Sequence, residues 1–67
     1  MIYAIRSEAR RETLVEFETH EALAAAGGHY RQATEMEAQY WVRDGKEHET
    51  GLFINDDGVV VYAEAEA

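Results

Sequence analysis

Glutamate pairs separated by one residue are the feature of this sequence with the clearest chemical potential. Four such pairs occur, at 16/18, 35/37, 47/49 and 64/66. On a β-strand the two side chains of a pair project from the same face, roughly 7 Å apart. Carboxylates spaced in this way attract cationic groups, including the arginine and lysine side chains of a protein partner.

Metal binding and catalysis are other chemistries open to carboxylates, and the remaining residues argue against both. His20, His29 and His48 match no compact set of metal ligands, and the NDDG segment at 55–58 lacks the spacing of a calcium loop. Acid–base catalysis would need a pocket that separates the pKa values of two carboxylates. The chain has no cysteine, and its only serine, Ser7, has no triad partners nearby. We therefore expect no enzyme, no metal ion and no cofactor.

Charge is distributed unevenly along the chain. Fourteen Asp and Glu residues stand against six Lys and Arg, which gives a net charge of −8. Arg6, Arg10 and Arg11 lie near the start with Glu8, whereas from residue 12 onward the net charge is −10. Phosphates would be repelled by this charge, so nucleic acid and anionic membranes are excluded as direct partners. A basic protein surface is favoured.

Length and composition indicate one domain, residues 1–67, because so short a chain cannot divide its apolar surface between two cores. Apolar residues make up 46% of the chain and recur periodically, which argues against disorder. No stretch has the length of a membrane-spanning helix or a secretory signal, so we expect a cytoplasmic location. Oligomerisation would be a natural way to stabilise so small a core.

The N-terminal half predicts two strands followed by one helix. Residues 1–5 and 13–17 are rich in strand formers, and we expect Val15 and Phe17 to point inward. Thr19 suits a helix N-cap. Gly27-Gly28 could end this helix, but the favoured prediction is that it continues to about residue 34, with a kink or break near the glycines. Four residues at helical spacing support this continuation: Leu23, Ala26, Tyr30 and Ala33.

The C-terminal half predicts a three-stranded meander. The RDG segment at 43–45 suits a three-residue hairpin loop and the NDDG segment at 55–58 a four-residue loop. These loops pair Val42 with Lys46 and Ile54 with Val59. The predicted fold class is α+β, with a small, mostly antiparallel sheet of about five strands in ββαβββ order and one helix packed on one face. The covered face would hold Met36, Ala38, Tyr40, Val42, Leu52, Ile54, Val59, Val61 and Ala63.

The second face of this sheet is the predicted binding surface, because a single helix layer leaves it open to water. Glu49 would oppose Glu64 there, and a cationic partner would relieve the repulsion. Exposed aromatic residues ringed by charge are typical of an interface with aromatic anchors and a polar rim. The candidate partner-binding residues are Glu16, Glu18, Glu37, Trp41, Glu47, Glu49, Phe53, Tyr62, Glu64 and Glu66.

In size, acidity, lack of cysteine and order of elements, the whole chain resembles the small inhibitor proteins of phages and other mobile elements, in particular the anti-CRISPR proteins. The resemblance implies a protein that docks on the positively charged nucleic-acid channel of a defence complex and mimics DNA. Carboxylates spaced along strands would stand in for phosphates, and Trp41, Phe53 and Tyr62 would be the anchors. The arginines near the N-terminus depart from this pattern.

A dimeric regulatory module, such as an antitoxin-like or accessory subunit, is the alternative hypothesis. In that case Trp41, Phe53 and Tyr62 would form a self-complementary contact, and the acidity would serve only solubility. Carboxylates would repel one another across a symmetric contact, which favours the heterologous basic partner.

Overall fold

The computed structural model describes residues 2–63, which form an α+β fold. Three antiparallel strands form the main sheet in the order β2-β1-β3, and β4 and β5 form a separate hairpin. The predicted α+β class with mostly antiparallel strands is confirmed, although two helices replace the single one expected. The elements are β1 (Ile2–Glu8), β2 (Arg11–Phe17), α1 (His20–Ala25), β3 (Tyr30–Ala33), α2 (Glu35–Arg43), β4 (Leu52–Ile54) and β5 (Val60–Tyr62).

β1 and β2 form a long hairpin that is closed by a two-residue turn. Glu8 pairs with Arg11 next to the turn, and the ladder continues to Phe17 at the open end. The turn residues Ala9 and Arg10 have φ angles of 50° and 67°. Turns of this kind match the twist of the strands but favour Gly and Asn, because both positions need a positive φ. The turn is therefore strained.

The two faces of β2 are the reverse of those predicted. Leu14 is fully buried, together with Ile5 opposite it on β1. Val15 and Phe17 are half-buried on the other face, where the Phe17 ring packs edge-on against Tyr30 with 5.3 Å between centroids. The inward placement of Val15 and Phe17 is wrong because both faces of the sheet carry apolar residues, so alternation alone does not distinguish them.

Helix α1 is shorter than the sequence predicts. Thr19 is its N-cap, as expected, and the Thr19 hydroxyl accepts a hydrogen bond from the Ala22 N–H at 3.1 Å. The helix ends at Ala25, and Gly27 then adopts a φ of +102°, the left-handed conformation that terminates many helices. Tyr30–Ala33 forms β3, antiparallel to β1. The predicted continuation of the helix to residue 34 is therefore wrong.

Helix α2 replaces the first strand of the predicted meander. The Thr34 hydroxyl caps the helix by accepting a hydrogen bond from the Glu37 N–H at 3.1 Å. Ala38 and Trp41, which are buried, lie three residues apart, as one face of a helix requires. Acidic residues in the first turn and Arg43 in the last turn complement the helix dipole.

Helical geometry reverses the predicted placement of the side chains in this segment. Trp41, predicted for the open face, is buried, and its Nε1 donates to the Glu47 carbonyl at 2.7 Å. Met36 and Tyr40, predicted for the core, are 66% and 55% exposed. A strand would place residues 36, 38 and 40 on one face, whereas a helix turns Met36 and Tyr40 away from Ala38.

The β4–β5 hairpin is present, with a register that differs by one residue from the predicted one. Leu52 pairs with Tyr62, and Phe53 pairs with Val61. This register turns Val60 and Tyr62, which the sequence predicts for the open face, towards the core. Val61, predicted for the core, lies instead on the same side as Phe53.

The turn between β4 and β5 explains the shift. The Asn55 N–H donates to the Val59 carbonyl at 3.0 Å, which leaves a three-residue loop, 56–58, instead of four residues. Gly58 supplies the left-handed residue of this loop with a φ of +79°. The Asn55 side-chain oxygen also accepts hydrogen bonds from the N–H groups of Asp57 and Val59.

Residues 47–49, which we call the strap, run alongside β2 and not within the predicted meander. The Leu14 N–H donates to the Glu47 carbonyl at 3.1 Å, and the Glu49 N–H donates to the Leu14 carbonyl at 2.8 Å. These bonds form a parallel bridge between Leu14 and His48. The predicted antiparallel pairing of residues 40–42 with residues 46–48 is therefore wrong.

One apolar cluster joins the main sheet, α2 and the β4–β5 hairpin. Within it, the buried Tyr3 hydroxyl donates to the Val60 carbonyl at 3.2 Å and so links β1 to β5. The buried members are Tyr3, Ile5, Leu14, Ala33, Ala38, Trp41, Leu52 and Val60.

Relief of strain in the β1–β2 turn is expected to make Arg10→Gly more stable than Arg10→Ala. Both substitutions remove the charge, but only glycine adopts the left-handed conformation without a Cβ clash. We expect a difference of about 1 kcal/mol in the free energy of unfolding. Urea unfolding followed by the fluorescence of Trp41 measures it, and an alanine variant at least as stable as the glycine variant would contradict a strained turn.

Trp41→Ala is expected to cost about 3 to 5 kcal/mol, which is enough to unfold a domain of this size. Met36→Ala, in the same helix but mostly exposed, should stay within about 0.5 kcal/mol of the wild type. Thermal melting followed by circular dichroism compares the two variants. Similar losses for both would contradict the helical placement of these side chains.

Candidate protein-binding surface

The predicted site residues do not share one sheet face. That prediction is wrong because residues 35–43 are helical and the strap lies beside β2. Glu64 and Glu66 lie outside the described residues. The other eight are distributed over β2 and its end (Glu16, Glu18), α2 (Glu37, Trp41), the strap (Glu47, Glu49), β4 (Phe53) and β5 (Tyr62).

Two of the predicted carboxylates are held by arginines of the same chain. Glu37 accepts a hydrogen bond from Arg31 at 3.1 Å, which ties α2 to β3. Glu47 forms an ion pair with Arg11, in which Nε and Nη2 each donate to the carboxylate. Because Glu47 also receives the Trp41 indole N–H on its carbonyl, its first role is to hold the strap against β2 and α2.

The three predicted aromatic anchors differ in exposure. Phe53 is 44% exposed and remains available to a partner. Trp41 is buried, so its predicted place on the binding surface is wrong. Tyr62 is half-buried and packs against the core.

Carboxylates from β2, the strap and α2 come together at the open end of the β1–β2 hairpin. Glu16 pairs with Tyr3 across the ladder, and the Glu49 carboxylate accepts a hydrogen bond from the Glu16 N–H at 3.2 Å. Glu35, in the first turn of α2, lies close enough to Tyr3 to act electrostatically on its hydroxyl. Glu18 follows β2 directly and is exposed. We call Glu16, Glu18, Glu35 and Glu49 the acidic end.

The Tyr3 hydroxyl is subject to the negative field of the acidic end. Burial raises the pKa of Tyr3 above its ordinary value of 10.0, and the charges of Glu16 and Glu35 raise it further. Both effects disfavour the phenolate. The hydroxyl therefore keeps its proton and its hydrogen bond to Val60.

A shallow groove of about 330 Å³ opens beside the acidic end. Tyr3, Glu35, Val60, Val61 and Tyr62 line it. The aliphatic stem of a lysine or arginine can lie along such an apolar wall while its charged head meets a carboxylate. Tyr62 thus shares a groove with Glu35, on a different surface from the predicted one.

The opposite end of the same hairpin carries three arginines whose charge is offset by acidic residues. Arg10 lies in the turn, Arg11 pairs next to it, and Arg6 is 3.9 Å from Glu8. The Arg11 and Glu16 rungs are about 17 Å apart along β2. The turn end is therefore close to neutral in formal charge, whereas the open end is acidic; the offsetting residues are Glu8, Glu12 and Glu47.

Sequence reasoning missed Glu35 because it assigned the following residues to a strand. The signal that locates Glu35 is the Thr34-x-x-Glu37 spacing, which is typical of a helix start. The groove had no local signal, since it joins residues of β1, α2 and β5.

Metal-ligating side chains are dispersed in the described part of the chain. Within residues 2–63, no three His, Asp or Glu side chains are grouped so that they could hold a metal ion. His48, in the strap, has its Nδ1 at 2.7 Å from the carbonyl of Lys46, two residues earlier in the chain. Among the same residues, no helix is long and apolar enough to cross a membrane.

No protein-family model, curated protein or solved structure matches this chain. The geometry and charge of the acidic end and of the groove beside it are therefore the basis for a proposed function.

Tyr3→Phe is expected to lower the free energy of unfolding by about 1 to 2 kcal/mol near neutral pH, because a buried hydrogen bond is lost. The raised pKa means that folded Tyr3 holds its proton more tightly than the unfolded chain does. The contribution of the Tyr3 hydroxyl to the free energy of unfolding is complete below pH 10. It is lost as the pH rises through the pKa of Tyr3 in the folded protein. Urea unfolding should therefore show that the difference in free energy of unfolding between wild type and Tyr3→Phe becomes smaller above pH 10. A difference that becomes larger would contradict the raised pKa of Tyr3.

Proposed function

We propose that this protein is a non-catalytic, acidic inhibitor that binds a basic, nucleic-acid-binding surface of a partner complex through its acidic end. The observation that supports the proposal is the convergence of carboxylates from β2, the strap and α2 beside an open apolar groove. An anti-CRISPR-type inhibitor acting on a defence complex in the bacterial cytoplasm is the class that this chemistry fits best.

Fixed carboxylates suit a mimic of nucleic acid better than mobile ones, because less side-chain entropy is lost on binding. The Glu49 carboxylate is fixed by the Glu16 N–H, and Glu16 is itself part of the β1–β2 ladder. Glu18 is exposed two residues further along the chain. A basic surface that normally holds phosphates would meet several carboxylates in a defined arrangement.

The structure changes which carboxylates we assign to the contact. We assign the proposed contact to the acidic end, where carboxylates of three elements meet, with Tyr62 in the adjoining groove; Glu37 and Glu47, which form ion pairs with Arg31 and Arg11, are not part of it. Phe53 stays a proposed anchor because it is exposed. The arginines near the β1–β2 turn lie at the other end of the hairpin, outside the proposed contact.

The test compares two double charge reversals in pull-downs from bacterial lysate. Glu18→Lys/Glu35→Lys alters the acidic end, and Glu12→Lys/Asp56→Lys makes the same change in net charge at exposed positions outside it. The wild type should recover basic nucleic-acid-binding complexes at low salt and lose them at high salt. The first variant should lose them at low salt, and the second should retain them.

Competition with single-stranded DNA and thermal melting complete the experiment. DNA should displace the captured complex if the carboxylates occupy the nucleic-acid site, and both variants should remain folded. Capture that is lost equally in both variants would show that only overall charge matters. If no nucleic-acid-binding complex is recovered at low salt, the proposal fails.

A further inference from the structure

The outer face of α2 carries the most exposed large apolar side chains among the described residues. Met36 and Tyr40 are one helical turn apart and are 66% and 55% exposed. They line an open groove of about 460 Å³ together with the edge of Trp41 and with Lys46, whose ammonium lies 4.7 Å from the centre of the Trp41 ring. We call this the α2 groove. It is separate from the groove beside the acidic end.

Charge is arranged with opposite signs along the α2 groove. Glu37 lines the end near the start of the helix, and Lys46 lies against Trp41, which is about 6 Å further along the helix. Asp44 also lines the groove, and the Arg43 guanidinium lies 5.9 Å from the centre of the Tyr40 ring. Arg43, Asp44 and Lys46, which follows the cap, together carry a formal charge of +1.

The earlier part of the helix is negative. Glu35 and Glu37 both lie in the first turn, and Arg31 offsets one of the two charges. The local formal charge there is −1. The α2 groove thus has a negative end, an apolar middle formed by Met36 and Tyr40, and a positive end.

We propose that a second copy of this chain occupies the α2 groove, with the two α2 helices antiparallel about a two-fold axis. Rotation about that axis brings Glu37 of each subunit opposite Lys46 of the partner subunit and places both copies of Met36 and Tyr40 in the middle. A two-fold interface must be self-complementary, and a surface with one negative and one positive end meets that condition. The pairs of Glu37 with Lys46 bring opposite charges together, so the expected repulsion between carboxylates does not arise at these positions.

The small interior is an independent reason for self-association. Of the large side chains in the described residues, Ile5 and Leu14 are the fully buried ones, and the chain has no disulfide. Domains of this size commonly gain stability through oligomerisation. Burial of Met36 and Tyr40 at an interface would add apolar area that the monomer leaves in water.

Two single charge reversals and their mixture provide the decisive test. Glu37→Lys leaves two positive groups in the groove, and Lys46→Glu leaves two negative groups. Each variant alone should dimerise at least about tenfold more weakly than the wild type, because both pairs across the axis become repulsive. An equimolar mixture of the two should form a heterodimer, because both pairs are then attractive. The combined variant Glu37→Lys/Lys46→Glu should recover the homodimer.

Sedimentation velocity over a wide concentration range measures these equilibria, and the fluorescence of Trp41 at the groove edge follows the same transition. Tyr40→Ser should weaken the dimer, whereas Phe53→Ser, which alters an exposed ring outside the α2 groove, should not. Circular dichroism establishes that each variant is folded. Charge reversal at the acidic end, as in Glu18→Lys, should leave the dimer intact, so that failure here is distinguishable from failure of the proposed inhibitor role.

Three outcomes would overturn the proposal. A wild type that is monomeric at every concentration would show that no second copy binds. A dimer that loses as much affinity from Phe53→Ser as from Tyr40→Ser would lie on another surface. Absence of preferential heterodimer formation in the charge-reversal mixture would exclude the antiparallel arrangement.

Discussion

The pairing of the strap with β2 is the interaction on which the rest of the structure depends. Leu14 offers both its N–H and its carbonyl to the strap, and the Glu47 carbonyl also receives the indole N–H of Trp41. One short segment therefore binds the edge of the main sheet and the buried face of α2. The Arg11–Glu47 ion pair and the hydrogen bond from Glu16 to Glu49 hold its two ends. Without the strap, apolar packing and the Arg31–Glu37 ion pair would remain to hold helix α2 against the main sheet.

Local signals predicted the parts of the fold that depend on neighbours in sequence. The Thr19 cap, the first two strands and the turn after residue 54 were predictable because their residue types favour one local conformation. Residues 36–42 were not, because Met36 and Tyr40 fit strand alternation while Ala38 and Trp41 fit a helical face. Thr34 favours the helix, because its hydroxyl caps the first turn by accepting a hydrogen bond from the Glu37 N–H. The pairing of β2 with the strap joins residues more than thirty positions apart and has no local signature.

The proposed binding surface keeps some of the carboxylates predicted from the sequence, but the structure brings them together in a different place. Excess carboxylate indicated a basic partner, and Glu16, Glu18 and Glu49 remain in the proposed contact. The prediction brought the carboxylates together through strand alternation, whereas the structure does so through the strap and the N-terminal turn of α2. A shift of one residue in the pairing of a strand moves each of its side chains to the opposite face of the sheet. That sensitivity explains why the β4–β5 register changed the roles of Val60 and Tyr62 while the hairpin itself was predicted.

The distribution of charge over the surface determines whether a chain with a net charge of −8 can bind a second copy as well as a basic partner. A uniformly acidic surface would oppose self-association as strongly as it attracts a basic partner. Here the acidic end lies about 17 Å along β2 from the arginines near the β1–β2 turn, and the α2 groove is lined by Lys46 as well as by Glu37 and Asp44. Two copies can therefore meet through α2 without pairing their acidic ends. A dimer formed in this way carries two acidic ends, and a partner complex with repeated basic surfaces would bind it with greater avidity than a monomer, provided that the geometry lets both ends engage.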